Sequence, residues 1–236
     1  MTADGEPTPE TVPEEDVQAV YDRIAEHFSK TREYAWPEVE SFVDAEYARC
    51  GSLGRALDLG CGNGRHAETL ADKGATVVGL DVSRGLLAEA KKRATAREFT
   101  ADFVHGDAAR LPFAADQFSH VVYVATLHHL QPRTTRRASL SEVGRVLAPG
   151  GRGLVSVWST AHRSFDAEEG FDTTVDWTLP GGKRIGRYYH IYDPEEFRAD
   201  LAAAPGVRCV NMELSSGNCY AVVASEDESE ATDTND

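Results

Sequence analysis

The sequence is poor in cysteine and has no long hydrophobic run. Its four cysteines, Cys50, Cys61, Cys209 and Cys219, form no Cys-x-x-Cys pair and no metal-ligand spacing with histidine. This usage favours reduced, metal-free thiols in an intracellular protein. The longest apolar stretches, such as 121–127, are too short to span a bilayer, and the first residues lack the basic start of a signal peptide. We therefore expect a cytoplasmic protein with no membrane segment and no metal site.

Lysine is also scarce, and acids predominate. The formal net charge is −15, and only five of the 24 basic residues are lysine. Residues 1–16 and 225–236 each contain six acids and no base, so that 27 acids face 24 bases elsewhere. We predict two disordered acidic tails flanking one domain at 17–224. The acid-rich, lysine-poor surface is typical of halophilic proteins, since 1 M salt screens exposed charges within about 3 Å. GC-rich coding would give the same preference for arginine.

One stretch organises the chain. An apolar strand at 55–59 runs into a loop with glycines at alternate positions, Gly60, Gly62 and Gly64. Glycines at the start of a helix let a ligand approach the backbone, because no Cβ intervenes. Arg65 stands where a dinucleotide-binding loop has its third small residue, so a pyrophosphate ligand is disfavoured. Asp58 on the approach would repel phosphate and suits a ligand with an amine.

Two further acids follow the next predicted strands. Asp81 ends the strand at 75–81, where a carboxylate can accept both hydroxyl groups of a ribose. Asp107 follows the strand at 99–105 and is placed to receive an adenine amino group. Together with the glycine loop, these positions resemble the class I S-adenosylmethionine-dependent methyltransferases over residues 53–158.

The resemblance implies S-adenosylmethionine as the cofactor and an α/β fold. We expect a seven-stranded, mostly parallel Rossmann-like sheet with an antiparallel C-terminal hairpin strand and helices on both faces. The cofactor-binding residues that the resemblance implies are Tyr21, Asp58, Gly60, Gly62, Gly64, Asp81, Val82, Asp107, Ala108 and Ala125.

The remaining pattern completes this outline. Helices are predicted before the first strand and at 65–73, 83–97 and 131–147, with a loop near 111–116 after the apolar strand at 99–105. That strand is expected at the sheet edge. An apolar edge needs a cover, because its unpaired backbone groups invite another strand. Residues 159–190 have little periodicity and are interpreted as an insertion over the active-site face, where loops carry function.

The segments that flank the methyltransferase core indicate which methyl acceptor the protein uses. The segment 21–32 followed by Trp36-Pro37, the strand at 155–158 and above all the run 187–190, Arg-Tyr-Tyr-His, resemble the eukaryotic-type tRNA methyltransferases that esterify 5-carboxymethyluridine at the wobble position. This resemblance covers about residues 17–224. It implies the tRNA anticodon loop as a partner, together with a small zinc-binding activator protein. That activator adds a strand to a sheet edge, which we expect at Phe99–Val104.

A carboxylate acceptor needs little chemistry from the protein. Its pKa lies near ~4, so it is ionised at neutral pH without a general base. Arginine contacts a carboxylate in planar bidentate fashion. We expect Arg32 and Arg187 to clamp the acceptor and His128, Tyr188 and His190 to orient it. Since neighbours on a strand end point opposite ways, only one of His128 and His129 is expected to reach the substrate.

Other interpretations stay open. Two basic clusters, at 133/136/137 and 183/184/187, either bind tRNA phosphates or form a solvated helix start and a solvated loop. The generic core also fits a methyltransferase for a small molecule, such as a quinone or another carboxylate metabolite. A non-enzymatic cofactor-binding subunit is a third possibility, which the intact acids Asp58, Asp81 and Asp107 disfavour.

Overall fold

The computed structural model describes residues 16–226. Within this range the helices are α1 Val17–Thr31, α2 Pro37–Cys50, α3 Arg65–Asp72, α4 Arg84–Arg97, α5 Arg133–Val146 and α6 Pro194–Ala202. The strands are β1 Arg55–Leu59, β2 Thr76–Asp81, β3 Ala101–His105, β4 Phe118–Val124, β5 Leu147–Trp158, β6 Phe171–Thr178, β7 Arg184–Ile191, β8 Val207–Ser215 and β9 Asn218–Ser225. A 3-10 turn spans Leu127–His129.

Seven of these strands form the central sheet. Their order is β3-β2-β1-β4-β5-β9-β8, with β1 to β5 parallel, β9 antiparallel to β5 and β8 antiparallel to β9. The predicted fold class is therefore confirmed. β3 lies at one edge, as the chain order indicated. The strand order reverses beside β1, and in such sheets ligands bind at the carboxyl ends of the strands near this point.

The two faces of the sheet carry separate hydrophobic cores. Consecutive residues of β4, such as Val121 and Val122, belong to different clusters because side chains alternate across a strand. The first cluster includes Leu140 of α5 and Phe197 of α6, and the second includes Leu70 of α3. This double burial explains why β4 is almost continuously apolar.

The helix α1 lies outside this layered core and is joined to α4. The Asp22 carboxylate accepts hydrogen bonds from the Ser83 hydroxyl (2.7 Å) and the Gly85 amide (2.8 Å) at the start of α4. Val20 and Ile24 of α1 are buried with Trp177 and Ile185 of β6 and β7. Thus α1 packs between the α4 side of the sheet and a second, smaller sheet.

That smaller sheet is a finding the sequence did not predict. Within 159–190, where little periodicity was seen, β6 and β7 pair antiparallel with Phe171 opposite Ile191 and Thr178 opposite Arg184. The physical reason is that β7 is buried on both faces over Arg187–Ile191. A strand with aromatic and charged residues on both faces lacks the alternation that identifies an amphipathic strand.

Other boundaries differ slightly. β5 begins at Leu147, earlier than the strand segment at 155–158 read from the sequence, and residues 148–151 form an irregular start between its two points of pairing with β4. The predicted tails lie outside the described residues except for Asp16, which caps α1, and for Ser225, which ends β9, and Glu226. Among residues 16–226, no helix has the length and apolar character needed to cross a membrane.

The Asp22 contact yields a stability prediction. Asp22→Ala removes the acceptor at the start of α4, and we expect the free energy of unfolding to fall by about 1 kcal/mol, as for other lost helix caps. Glu26→Ala on the same helix removes only an exposed pair with Lys30 and is the matched control. Urea denaturation measures both variants. Equal midpoints for Asp22→Ala and Glu26→Ala would contradict a structural role for Asp22.

Candidate active site

A cavity of about 410 Å³ opens at the carboxyl ends of β1, β2 and β4. This volume lies in the range of small-ligand sites. The predicted cofactor-binding residues that line it are Tyr21, Gly60, Gly62, Asp81, Val82, Asp107, Ala108 and Ala125. Asp58 and Gly64 are not among its lining residues. The fold therefore brings most of the predicted cofactor-binding residues together around one cavity.

The glycine loop forms the floor through close backbone approaches. Gly60 has φ +71°, and a Cβ there would overlap the side chain of Thr126 after β4. The Gly62 amide donates to the Asp81 carboxylate at 2.8 Å, which ties the loop to β2. A Cβ on Gly62 would lie 3.7 Å from the Phe28 ring, inside the space between loop and α1. A side chain at either glycine would thus fill or distort the cavity.

Two buried acids determine the electrostatics of this floor. Burial, reinforced by the charge of Asp81, raises the pKa of Asp58 to about 7, and burial raises the pKa of Asp81 to about 6. One carboxylate oxygen of Asp58 is buried without a hydrogen-bond partner among the described residues. A buried, unpartnered carboxylate oxygen is costly and calls for a donor or a cation.

These features fit S-adenosylmethionine. The charge of Asp58, which is buried outside the cavity lining, would attract the ammonium group, and the Asp81 carboxylate would accept from the ribose hydroxyls. Asp107, on the cavity wall, would receive the adenine amino group. The donors and acceptors present therefore match the charges and polar groups of this cofactor.

Two residues of the cavity wall were not predicted from the sequence. Arg65 and His66 begin α3 directly after the glycine loop and both line the cavity. Burial and the neighbouring charge of Arg32 lower the pKa of Arg65 to about 10, and no described carboxylate pairs with it. Burial lowers the pKa of His66 well below its usual range, and its Nε2 has no partner in residues 16–226. Their position in the first turn after the loop was the available signal. Arg65 suits the carboxylate end of the cofactor.

The tip of β4 is held in an unusual conformation. Ala125 has φ +55°, a left-handed conformation that is rare for a residue with a Cβ. Its amide donates to the hydroxyl (3.1 Å) and carbonyl (3.3 Å) oxygens of Ser156 in β5. Strained residues of this kind persist where neighbours fix them, often beside ligand sites.

The two adjacent histidines differ from the expectation. They lie in the 3-10 turn rather than on a strand end, and His129, not His128, lines the cavity. His128 is 1% exposed, accepts from the Trp158 amide (3.2 Å) and stacks on the Tyr189 ring. The predicted substrate contact of His128 does not agree with this placement, because strand alternation does not apply within the turn.

A directed chain of hydrogen bonds crosses the cavity wall. The guanidinium group of Arg187 donates to the Tyr21 hydroxyl (3.4 Å), which lies 2.8 Å from His129 Nε2. His129 Nδ1 lies 2.8 Å from the Tyr188 carbonyl and must donate to it, so Nε2 accepts from Tyr21. Burial lowers the pKa of His129 to about 3, so the ring is neutral. With both nitrogens engaged, His129 positions Tyr21 and is not free to act as a base.

The two predicted arginines, Arg187 and Arg32, lie close to each other beside these hydrogen bonds. The guanidinium groups of Arg187 and Arg32 lie 5.0 and 5.3 Å from the ring centre of Trp177. Neither lines the cavity itself, but Arg187 adjoins it through Tyr21 and Arg32 through the Phe28 ring. Among residues 16–226, neither has a carboxylate within ion-pair distance, and the buried Nε of Arg187 has no partner. The pair is thus available to an anion.

Tyr188 and His190 face the other way. The Tyr188 hydroxyl donates to Asp172 (2.7 Å), and the two nitrogens of His190 lie 2.7 and 2.8 Å from Asp172 and Glu196. In each bond the His190 nitrogen is the donor, because a carboxylate only accepts. Residues 188 and 190 alternate with 187 and 189 along β7, so they lie on the face away from the cavity. Their predicted orienting role does not agree with this placement.

The basic cluster on α5 is partly paired with acids. Arg133 and Arg137 share the buried Asp200 at 2.9 and 2.6 Å, and Arg136 donates to the Tyr192 hydroxyl near Glu196. Asp200 and Glu196 lie on α6, distant in sequence, so the run of arginines looked free. The side chains of Arg133 and Arg137 remain 43% and 44% exposed, and phosphate binding by them stays a prediction.

One group of residues has the composition of a metal site. Ligand atoms of Glu46, Cys50 and His120 lie within 4.8 Å of one another, at the far end of the sheet. However, Arg49 donates twice to Glu46, and Arg152 lies 3.3 Å from the same carboxylate. Two guanidinium groups therefore already neutralise the only acid, and this arrangement is interpreted as an ion-pair network.

Comparison with known proteins agrees with this geometry. A family model described as a methyltransferase domain matches residues 56–151. A putative methyltransferase of Encephalitozoon cuniculi is 32% identical over 213 residues, covering 88% of this chain and 94% of that protein. A tRNA (carboxymethyluridine(34)-5-O)-methyltransferase of Schizosaccharomyces pombe is 29% identical, over 80% of this chain and 88% of its own.

Relatives with another substrate also match. A demethylmenaquinone methyltransferase of Beutenbergia cavernae is 37% identical over 75% of this chain and 72% of its own length. Among solved structures, the CcbJ methyltransferase of Streptomyces caelestis superimposes with a TM-score of 0.69 over 90% of this chain and 100% of its own, at 21% identity. That likeness concerns the fold alone.

The raised pKa of Asp58 makes cofactor binding depend on pH. An ammonium group binds the ionised carboxylate, so binding below about pH 7 must first release a proton from Asp58. We expect the affinity for S-adenosylhomocysteine to fall by up to ~10-fold per pH unit below pH 7 and to level off above it. Isothermal titration calorimetry between pH 5.5 and 8.5 measures this dependence.

Asp58→Asn is the matched variant, because it keeps the shape and cannot ionise. We expect the variant to bind S-adenosylhomocysteine more weakly at pH 8, with no change in affinity between pH 7.5 and 6.5. Near pH 6 its affinity should depend on pH only through the protonation of Asp81. The same slope in both proteins would refute the assignment of Asp58.

Proposed function

The chain belongs to the class I S-adenosylmethionine-dependent methyltransferases, and on this premise we propose that it esterifies the carboxylate of 5-carboxymethyluridine at the wobble position of tRNA. The observation that carries the proposal is the buried guanidinium group of Arg187, which has no acidic partner among the described residues. An unpaired buried charge costs several kcal/mol, so it calls for an anion that arrives with the substrate. A carboxylate is the anion with the matching planar geometry.

The chain's own residues supply positioning rather than acid–base chemistry. The cofactor, when bound, supplies a methyl group on a sulfonium centre, which transfers to a carboxylate oxygen and leaves the thioether. Arg187 holds the acceptor carboxylate, which is already ionised with a pKa near ~4. Tyr21, fixed by His129, holds Arg187 in place. Since no proton is removed in this reaction, the enzyme does not need His129 as a general base, and His129 can remain neutral with both nitrogens hydrogen-bonded.

A macromolecular acceptor is supported by the open end of the smaller sheet. Lys183 is exposed in the turn that joins β6 to β7, and Arg184 makes only an exposed 3.5 Å pair with Asp176. These cations are available to RNA phosphates. The Schizosaccharomyces pombe relative, which this chain covers over 88% of its length, is named as a tRNA methyltransferase, and this supports the same substrate class.

We further propose that a small zinc-binding activator protein pairs with β3. This strand is the sheet edge beside β2, and Ala101 and Phe103 already pack against the second core cluster. Its outer backbone edge therefore offers hydrogen bonds for an added strand, without exposing new apolar side chains. A tRNA substrate also implies the cytoplasm as the site of action. Adaptation to high salt stays a prediction.

A small-molecule acceptor is the second candidate, and the Beutenbergia cavernae relative favours it. A quinone acceptor carries no carboxylate and would leave Arg187 and Arg32 without an anion. The unpaired arginines therefore favour the tRNA proposal over a quinone acceptor. A small carboxylate metabolite would satisfy them equally, and against that acceptor the proposal is supported by the exposed Lys183 and Arg184.

The direct test is mass spectrometry of tRNA nucleosides from cells lacking this protein. We expect loss of the wobble methyl ester and accumulation of the free carboxymethyluridine, because the acceptor is made but not esterified. An unchanged nucleoside profile would refute the proposal, and altered quinones in the same cells would support the alternative.

The role of Arg187 is tested separately with purified enzyme. Arg187→Gln removes a charged donor to the acceptor, and we expect kcat/KM for an anticodon stem-loop RNA with 5-carboxymethyluridine to fall about 100-fold. Arg187→Lys should retain an intermediate activity, because it keeps the charge but not the planar fork. Affinity for S-adenosylhomocysteine should not change. Arg198→Gln, at an exposed pair on α6, is the matched control. Equal losses in both glutamine variants would contradict a substrate contact.

A further inference from the structure

Tyr34 is an exposed aromatic residue on a fixed piece of backbone. Its side chain is 75% exposed, the highest value among the large hydrophobic residues described. Its ring makes no aromatic contact with any described residue. A large apolar ring left in water contributes nothing to folding, since it buries little surface.

The loop that carries Tyr34 is nevertheless held at three points. Asn63 donates to the Arg32 carbonyl at 2.8 Å, and Arg65 donates to the Tyr34 carbonyl at 3.4 Å. The Glu33 carbonyl accepts from Arg93. A fixed backbone with a free ring presents the ring as a rigid surface, so little entropy would be lost when a ligand covers it.

The position of this loop relates it to the active site. Asn63 and Arg65, which hold it, both line the cofactor cavity. On its other side, Arg32 stacks on the Phe28 and Trp177 rings beside Arg187. The Tyr34 backbone therefore lies at the rim of the cavity, next to Asn63 and Arg65, and Arg32 of the proposed carboxylate clamp precedes it by two residues.

The charge around this rim opposes that of the whole chain. Arg32 and Arg65 have no carboxylate partner among residues 16–226, although the chain carries a net charge of −15. An aromatic face beside guanidinium groups that lack an acidic partner is a combination that binds single-stranded RNA, by base stacking and phosphate contact.

We propose that Tyr34 stacks against the nucleobase next to the wobble uridine in the anticodon loop. This inference rests on the proposed function. A wobble nucleotide that enters the cavity leaves the base stack, and its neighbour thereby loses a stacking partner. The Tyr34 ring replaces that partner at the rim, while Arg32 remains with Arg187 at the acceptor carboxylate.

The test uses the full chain with an anticodon stem-loop RNA that carries 2-aminopurine beside 5-carboxymethyluridine. Stacking on an aromatic ring quenches 2-aminopurine, so we expect lower emission in complexes of the wild type and Tyr34→Phe than of Tyr34→Leu. We also expect Tyr34→Leu to bind this RNA about 10-fold more weakly. Tyr47→Leu, an exposed tyrosine on α2, is the matched control and should behave as wild type.

The outcomes are distinct. Equal emission and affinity in Tyr34→Leu and wild type, with methylation intact, would overturn the stacking role and leave the proposed function standing. Loss of affinity in Tyr34→Phe as well would overturn stacking in favour of a hydroxyl contact. Binding of S-adenosylhomocysteine without any methylation of this RNA by the wild type, with the activator protein present, would overturn both proposals. Weaker binding of a protein partner, with RNA binding unchanged, would assign the ring to a protein interface instead.

Discussion

The arrangement of the site depends on the hydrogen-bond chain from Arg187 through Tyr21 to His129. Its members come from β7, α1 and the turn after β4, which are far apart in sequence. Each bond has a fixed direction, because the Tyr188 carbonyl can only accept from His129 and a guanidinium group can only donate. These hydrogen bonds thus fix the smaller sheet and α1 over the strand ends. They leave the remaining donors of Arg187 unused.

Much of this fold was predictable because its signals are local. The strand at 55–59, its glycine loop and the acids after the next strands are read from short stretches whose geometry the backbone dictates. The rest depends on contacts between distant segments. Tyr188 and His190 were grouped with Arg187, although alternation along a strand separates them. The arginines of α5 looked free because Asp200 follows them by more than sixty residues.

Charged residues away from the cavity differ from those around it in whether they have a partner of opposite charge. Many arginines away from the cavity, such as Arg49 and Arg137, pair with buried acids. Around the cavity the rule is reversed, since Arg32, Arg65 and Arg187 lack acidic partners among the described residues. On the floor, Asp58 lacks a donor for one oxygen. Unsatisfied groups of both signs, each next to the other, are typical of a site whose ligands complete it.

The position of α1 has a consequence for timing. This helix supplies one wall of the cavity through Tyr21 and Phe28, yet it lies outside the two main cores and is tied to α4 by Asp22. Opening that wall disturbs few buried contacts of the sheet. In many enzymes the movement of such a wall, rather than the chemical step, limits turnover.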